Sequence, residues 1–419
     1  PERFAKIIDR LLNDSQYSIG SITEGIKGLM SAKYDNEVIK DFTNRAIARL
    51  GDLNKADDGG IMALLQLTDY FVKSDNLPPF VINFICDVLT RHDDDGFNHQ
   101  NTGLDLYTTG INRVNGNAGY KLVNCYKHKE YKELIFLTLE SVASTASPVT
   151  RSAILLEMRQ LMWLDDDRTR TLYLMLLHDY NEDLIAMPLH DYNPILGFTG
   201  KYFPMLHDLI EEALKKPRCY RVIVVFLWLA YYYGNHEAYD YILKITDKST
   251  EAQVVLLQQL LRQDRNLTKK FADQFFYRFL DSKDKDVGAQ YDAVFHYLDK
   301  WDKNDIISFV SAYCKSCVSA FASNGVLGFL EKAAIKYPRL VLDWISLIYE
   351  NKKQHNDTNS FVFSKILNII TIAYNGIHKY DKNDKTLEKA MDIFDEILQN
   401  DDIRRSTRYY LNQLDSSEN

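Results

Sequence analysis

Chemistry at a phosphate needs a glycine-rich loop with a Lys and a Ser or Thr at fixed spacing, because backbone N–H groups and one ammonium must converge on the oxygens. Gly197-Phe198-Thr199-Gly200-Lys201-Tyr202 comes nearest to that pattern, but Ile195 stands where the first glycine belongs and Tyr202 replaces the hydroxyl that would hold magnesium. Cys314-Lys315-Ser316-Cys317 has the spacing of half a zinc site or a redox pair. No second such pair completes it, and on a helix among Phe309, Val310 and Val318 these thiols suit small apolar fillers. Asp93-Asp94-Asp95-Gly96 imitates the start of a calcium loop, yet Thr102 occupies the place of the required bidentate acid. Asp165-Asp166-Asp167-Arg168 reads as a helix start, where carboxylates meet free N–H groups. His92, His99, His178, His190 and His207 accompany no nucleophile elbow. These residues predict no enzyme, no cofactor and no metal site.

Groups suited to binding are easier to find. Lys121, Lys127, Lys129 and Lys132 interleave with Tyr120, Tyr126 and Tyr131. Arg218 and Arg221 fall in a later turn, and Arg262 and Arg265 in another. If equivalent turns of a repeat share one edge, these positions form a basic ridge able to meet an acidic protein or nucleic acid. Cations also gather at helix C-termini through the dipole alone. Tyr231 and Tyr232, in a run with Tyr233, are aromatic candidates for a partner contact, and part of the cluster through Tyr239 and Tyr241 is expected at the surface.

The elements that must position these groups are helices. Phe4, Ile7, Ile8, Leu11 and Leu12 recur at helical spacing, as do Ile154, Leu155, Met158, Leu161 and Met162, and Leu387, Met391, Phe394, Ile397 and Leu398. Val222 to Tyr233 is uniformly apolar, about half the length of a bilayer span, and predicts a buried helix. With 18 Gly and 9 Pro in 419 residues, the chain has too few turn formers for an all-β protein. Arg91 to Thr109 and Tyr349 to Ser360 are polar enough to predict loops, and Asp415 to Asn419 a frayed tail. A net charge of −8 weighs against wholesale nucleic-acid binding, and five cysteines, an odd number, fit reduced thiols in the cytoplasm. No secretory leader is visible, and the opening on Pro1 in place of Met fits either processing or a piece cut from a longer polypeptide.

Polar turns ahead of apolar helices recur at Pro148, Pro217, Ser249 and Asp286, with a further beat near Asp183, a period of roughly 35 residues. The expected fold is all-α, a HEAT/ARM-type α-solenoid of stacked helix pairs. Three blocks are expected: an N-terminal helical block over 1–100, a repeat array over 101–300, and a C-terminal block over 301–419. The Ser147-Pro148-Val149-Thr150-Arg151 turn followed by Ala153, Leu155 and Leu156 resembles the intra-repeat turn of HEAT repeats, in which the arginine reaches toward neighbouring turns. Asn112-Arg113-Val114-Asn115-Gly116-Asn117-Ala118 resembles a segment in the C-terminal HEAT-like regions of large bacterial STAND-type ATPases, many linked to anti-phage defence, over about Leu104 to Leu261. Thr386 to Asp401 and Ala334 to Pro338 have a tetratricopeptide character. The resemblance implies a non-enzymatic scaffold or sensor region behind an ATPase module. Its partner would be a protein, either the chain's own ATPase region or a foreign trigger, with nucleic acid the alternative and no membrane. Asn112 and Gly116 are expected to be structural, through local hydrogen bonds and through close helix approach or positive φ.

Overall fold

The computed structural model describes residues 2–53, 56–91, 105–187, 198–262, 275–355, 359–381, 384–399 and 404. Among the described residues it is all-α, with 21 α-helices and no strand. The chain divides into two compact units, Pro1–Tyr241 and Ile242–Asn419.

In the first unit the helices are α1 (Glu2–Asn13), α2 (Ile19–Ser31), α3 (Asn36–Leu50), α4 (Asp58–Val72), α5 (Pro79–Arg91), α6 (Leu106–Ile111) and α7 (Val114–Asn124). They continue as α8 (Lys132–Ala143), α9 (Pro148–Glu157), α10 (Asp166–Leu176), α11 (Glu182–Ile185), α12 (His207–Ala213) and α13 (Tyr220–Tyr232). The division falls within α14 (Ala238–Thr246). The second unit holds α15 (Thr250–Arg262), α16 (Lys285–Val294), α17 (Lys303–Cys314), α18 (Asn324–Lys336), α19 (Pro338–Gln354), α20 (Ser360–His378) and α21 (Lys385–Leu398).

Polar residues in the turns explain where the helices start. Ser147 accepts from Thr150 N at 3.2 Å, with Pro148 entering α9 at its first turn, where its missing N–H costs nothing. Asn181, Ser249 and Asp284 cap α11, α15 and α16 in the same way. Asp165 caps α10, accepting from Arg168 N at 3.0 Å, as its acidic run predicts. Helices pack on the element two further along the chain as well as on their neighbours: α2 on α4, α5 on α7, α7 on α9, and in the second unit α16 on α18 and α18 on α20.

Two details fix the middle of the first unit. Arg151, 3% exposed, donates through Nη1 to Leu176 O at 2.8 Å and grips both oxygens of Asp179 at 2.9 and 2.7 Å, tying the α9 turn to the end of α10. Gly116 has helical backbone, and a Cβ there would lie 2.0 Å from Gly110 O, so the glycine serves close approach of α7 to α6 and not a positive φ. Gly110 in turn sits where a Cβ would meet Val149 O of α9 at 2.5 Å.

Some expectations change. Within Arg91 to Thr109, residues 106–109 are helical: Asp105 accepts from Thr108 N at 2.8 Å and starts α6. In the stretch from Tyr349, α19 runs on to Gln354, because Lys352 turns inward, 2% exposed, and donates to Ala320 O at 3.0 Å. Asp93 to Gly96, His92, His99, His190, Arg265 and the tail from Asp415 lie outside the described residues. Val222 to Tyr232 is helical, and Val222, Ile223, Val224, Phe226, Leu227 and Trp228 are buried. By length and composition α20 could cross a membrane, but half of that window is buried, and the helix packs on α18, α19 and α21.

Candidate functional site

The helix α7 has two distinct faces. Asn117, Tyr120, Lys121 and Asn124 follow one another at three, four and seven residues, so a polar stripe runs along one face. The opposite face buries Ala118, Leu122 and Val123. The polar stripe forms one wall of a cavity of about 420 Å³, within the roughly 300–1,000 Å³ typical of ligand sites. From α4 come Gln66, Asp69 and Val72, with Lys73 just beyond. From α6 come Tyr107 and Ile111, followed by Asn112. Tyr126 and Lys127 belong to the 3₁₀ turn after α7, and Gln160 to the 3₁₀ turn Met158–Trp163.

The cavity is electrostatically organised around one ion pair. Lys121, with a side chain 5% exposed, donates to Asp69 Oδ1. Burial pulls the lysine below its ordinary value, Asp69 opposes that by binding the charged form, and nearby Lys73 adds to the lowering. Tyr107 and Tyr120 are pushed up, first by burial, with added repulsion from Glu157, so both phenols keep their protons as donors. Asn112 Nδ2 donates to Thr108 O at 2.8 Å and Asn117 Nδ2 to Ile111 O at 2.8 Å. Asn117 Oδ1 is buried with no hydrogen-bond partner. Among the described residues no Ser, Cys or His lines the cavity. Its groups can hold a polar ligand by charge, amide and phenol.

The residues of the expected ridge do not act as one set. Lys121 is corrected from a ridge residue to a buried one: at 4% exposure it belongs to the cavity wall, because α4 covers it with Asp69. Lys127 is exposed at the same cavity. Lys129 is exposed on the neighbouring turn, while Lys132 pairs with Asp165 at 2.8 Å and Arg218 with Asp183 at 2.8 Å. Arg221 is exposed, Arg262 ends α15, and Arg265 lies outside the described residues. Tyr231 and Tyr232 are half-buried against Trp228, and in that run it is Tyr233 that stands exposed, at 67%. The neighbouring turn is a strut: His128 meets Val72 O at 3.2 Å and Tyr131 donates to Leu77 O at 3.0 Å.

Other chemical candidates are occupied structurally. Gly200 N donates to Asn235 Oδ1 at 2.6 Å, so that loop's N–H group is latched and not turned to a phosphate. Cys314 is buried and its thiol pushed up by burial, while Cys317 is half-buried. Among the described residues no cluster of three His, Cys, Asp or Glu side chains could hold a metal ion. His178 Nδ1 meets Met175 O at 3.0 Å, and His207 Nε2 meets Glu237 at 3.2 Å.

Sequence reasoning named Lys121, Lys127, Tyr120 and Tyr126 but missed Asp69, Lys73, Asn117 and Trp163. The polar stripe on α7 was the available signal. Trp163 is 82% exposed and follows Gln160 by three residues in a 3₁₀ turn, where side chains at that spacing eclipse. The same turn therefore carries Gln160, which lines the cavity, and Trp163, which does not. No family model, curated protein or solved structure matches this chain.

Proposed function

We propose that this chain is a non-enzymatic helical recognition module that captures a protein partner, as the sensing or scaffolding part of a larger assembly. The observation that carries the reading is Trp163, 82% exposed on the 3₁₀ turn whose Gln160 lines a polar cavity, where Lys73 and Lys127 form no ion pair among the described residues. An indole left in water is the anchor type that dominates protein interfaces. The cavity's composition supports binding of a polar group, since charged, amide and phenol side chains line it. Tyr380 at 84% and Tyr233 at 67% exposure are further aromatic anchors, each on its own unit. Five free thiols support a reducing, cytoplasmic setting. An ATPase region adjoining the chain, as in STAND-type proteins, or a foreign trigger is the partner class this reading favours.

The test is a photo-crosslinking amino acid placed at position 163 in the full chain, expressed in the cells from which it comes. Discrete protein adducts that vanish when the label is moved to buried Trp228 are expected. Adducts to nucleic acid alone, or turnover of ATP by the purified chain, would overturn the reading.

A further inference from the structure

The cavity on α4 and α7 leaves one chemical demand unmet. The Lys121 ammonium carries three N–H donors, yet Asp69 is its one hydrogen-bond acceptor among the described residues. A buried ammonium with open donors calls for an oxygen acceptor, since unfilled buried donors are costly. Lys73 and Lys127 border the same space and form no ion pair among the described residues.

The charge balance narrows the acceptor. Among the lining residues three ammoniums face one carboxylate, and α4 and α7 both end at the cavity, each C-terminus contributing roughly half a negative charge. Glu157 acts on Tyr107 and Tyr120 from beyond the lining, so the excess is at most about one positive charge. A singly charged carboxylate does not exceed it. A phosphate monoester carries roughly −1.5 to −2 and would confront the carbonyl ends of two helices, whereas phosphates settle at N–H ends.

The remaining polar groups specify the frame around that carboxylate. Asn112 has its amide nitrogen anchored to Thr108 O, which leaves its Oδ1 as an acceptor at the exposed edge of the cavity, whereas Asn117 Oδ1 is buried out of a ligand's reach. A ligand that satisfies Asn112 brings an N–H donor near its acid, which a peptide main chain does. Trp163, on the 3₁₀ turn that also carries Gln160, offers an exposed apolar surface for a more distant side chain of the same ligand.

We propose that the cavity receives a carboxylate-bearing peptide segment of the partner, either an acidic side chain or a chain terminus. The carboxylate completes Lys121 with help from Lys73 and Lys127, and a main-chain N–H group meets Asn112. This rests on the protein-recognition reading and adds the chemistry of what is recognised.

The test uses the full chain and saturation-transfer NMR with three acetylated probes. These are Gly-Leu-Glu-Leu-Gly as its amide, the same peptide with Gln for Glu, and Gly-Leu-Gly-Leu with a free terminus. Saturable binding of the first or the third is expected, and which of them binds identifies the source of the carboxylate. The Gln peptide should bind about tenfold or more weakly than the Glu peptide if the side chain is the source. The double variant Lys73→Ala and Lys127→Ala, at surface positions, should keep the melting temperature and weaken the acidic probe about tenfold. Lys121→Met should abolish binding while circular dichroism stays helical. Equal binding of all probes, unchanged affinity in the double variant, or binding of AMP or inorganic phosphate in place of the peptides overturns the proposal. Protein adducts at position 163 without peptide binding would sink this inference alone, whereas peptide binding without such adducts would sink the parent reading.

Discussion

Gly116→Ala adds one methyl group at the tightest point of the first unit. The new Cβ would lie 2.0 Å from Gly110 O and 2.7 Å from Gly110 C, where carbon and oxygen normally keep about 3.3 Å or more. Relief would require α7 and α6 to part by about 1 Å or more. Neither has room: a Cβ on Gly119 of α7 would already meet Ile154 at 2.6 Å, and one on Gly110 would meet Val149 O at 2.5 Å. Overpacking costs about 1–3 kcal/mol in tight cores, and backbone obstruction places this case at the upper end. The gain in helix propensity from Gly to Ala, about 0.5–1 kcal/mol, works the other way. The net expectation is a loss of about 2 kcal/mol, larger for Gly116→Val. Gly328→Ala is the control, because it lies inside α18 with no atom within 4 Å of the added methyl group, so the propensity gain alone should appear. Urea titrations followed by far-ultraviolet circular dichroism and by tryptophan fluorescence measure both, with the m-value checked for change. If Gly116→Ala were as stable as the parent chain, or Gly328→Ala equally damaging, the close approach of α6 and α7 would be refuted.

Arg151→Met should destabilise by about 1–3 kcal/mol in the same titration, because Leu176 O loses its donor and Asp179 its fork. Asp292 accepts from Ser323, Gly325 and Val326 N–H groups at 3.0, 2.8 and 3.0 Å, so Asp292→Ala should cost about 1–2 kcal/mol at the start of α18. Arg151 holds Asp179 below the usual carboxylate range, Lys132 does the same for Asp165, and Thr108 N–H for Asp105. Because these folded-state values are depressed, their stabilisation is complete above the unfolded values near 4 and is lost as pH falls through the folded ones. Melting temperature should therefore hold from about pH 7 to 5 and drop below about pH 4; a decline beginning above pH 6 would contradict this assignment. Burial pushes the Cys125 thiol up to about 12 and Cys219 up to about 11. With Ellman's reagent at about pH 8 only half-buried Cys317 should react promptly, and all five thiols in denaturant.

That this protein is built of helices, and where many of them begin, is legible in local residue patterns. Apolar spacing and caps such as Ser147, Asp165 and Asp284 act within one or two turns, and local interactions leave local marks. The sequence also marked Gly116 as special and Lys121 and Lys127 as binding groups. Tertiary structure decided what each of these does. Gly116 is needed because α6 passes at backbone contact, a fact that no φ preference records. Lys121 became a cavity residue because α4, 52 residues earlier in the chain, brings Asp69 over it. Lys352 reads as solvent-facing, yet the carbonyl of Ala320, 32 residues away, draws it inside and extends α19. A helix fixes which residues share a face, but which face meets another helix is set by contacts between distant segments, and those have no period in the sequence.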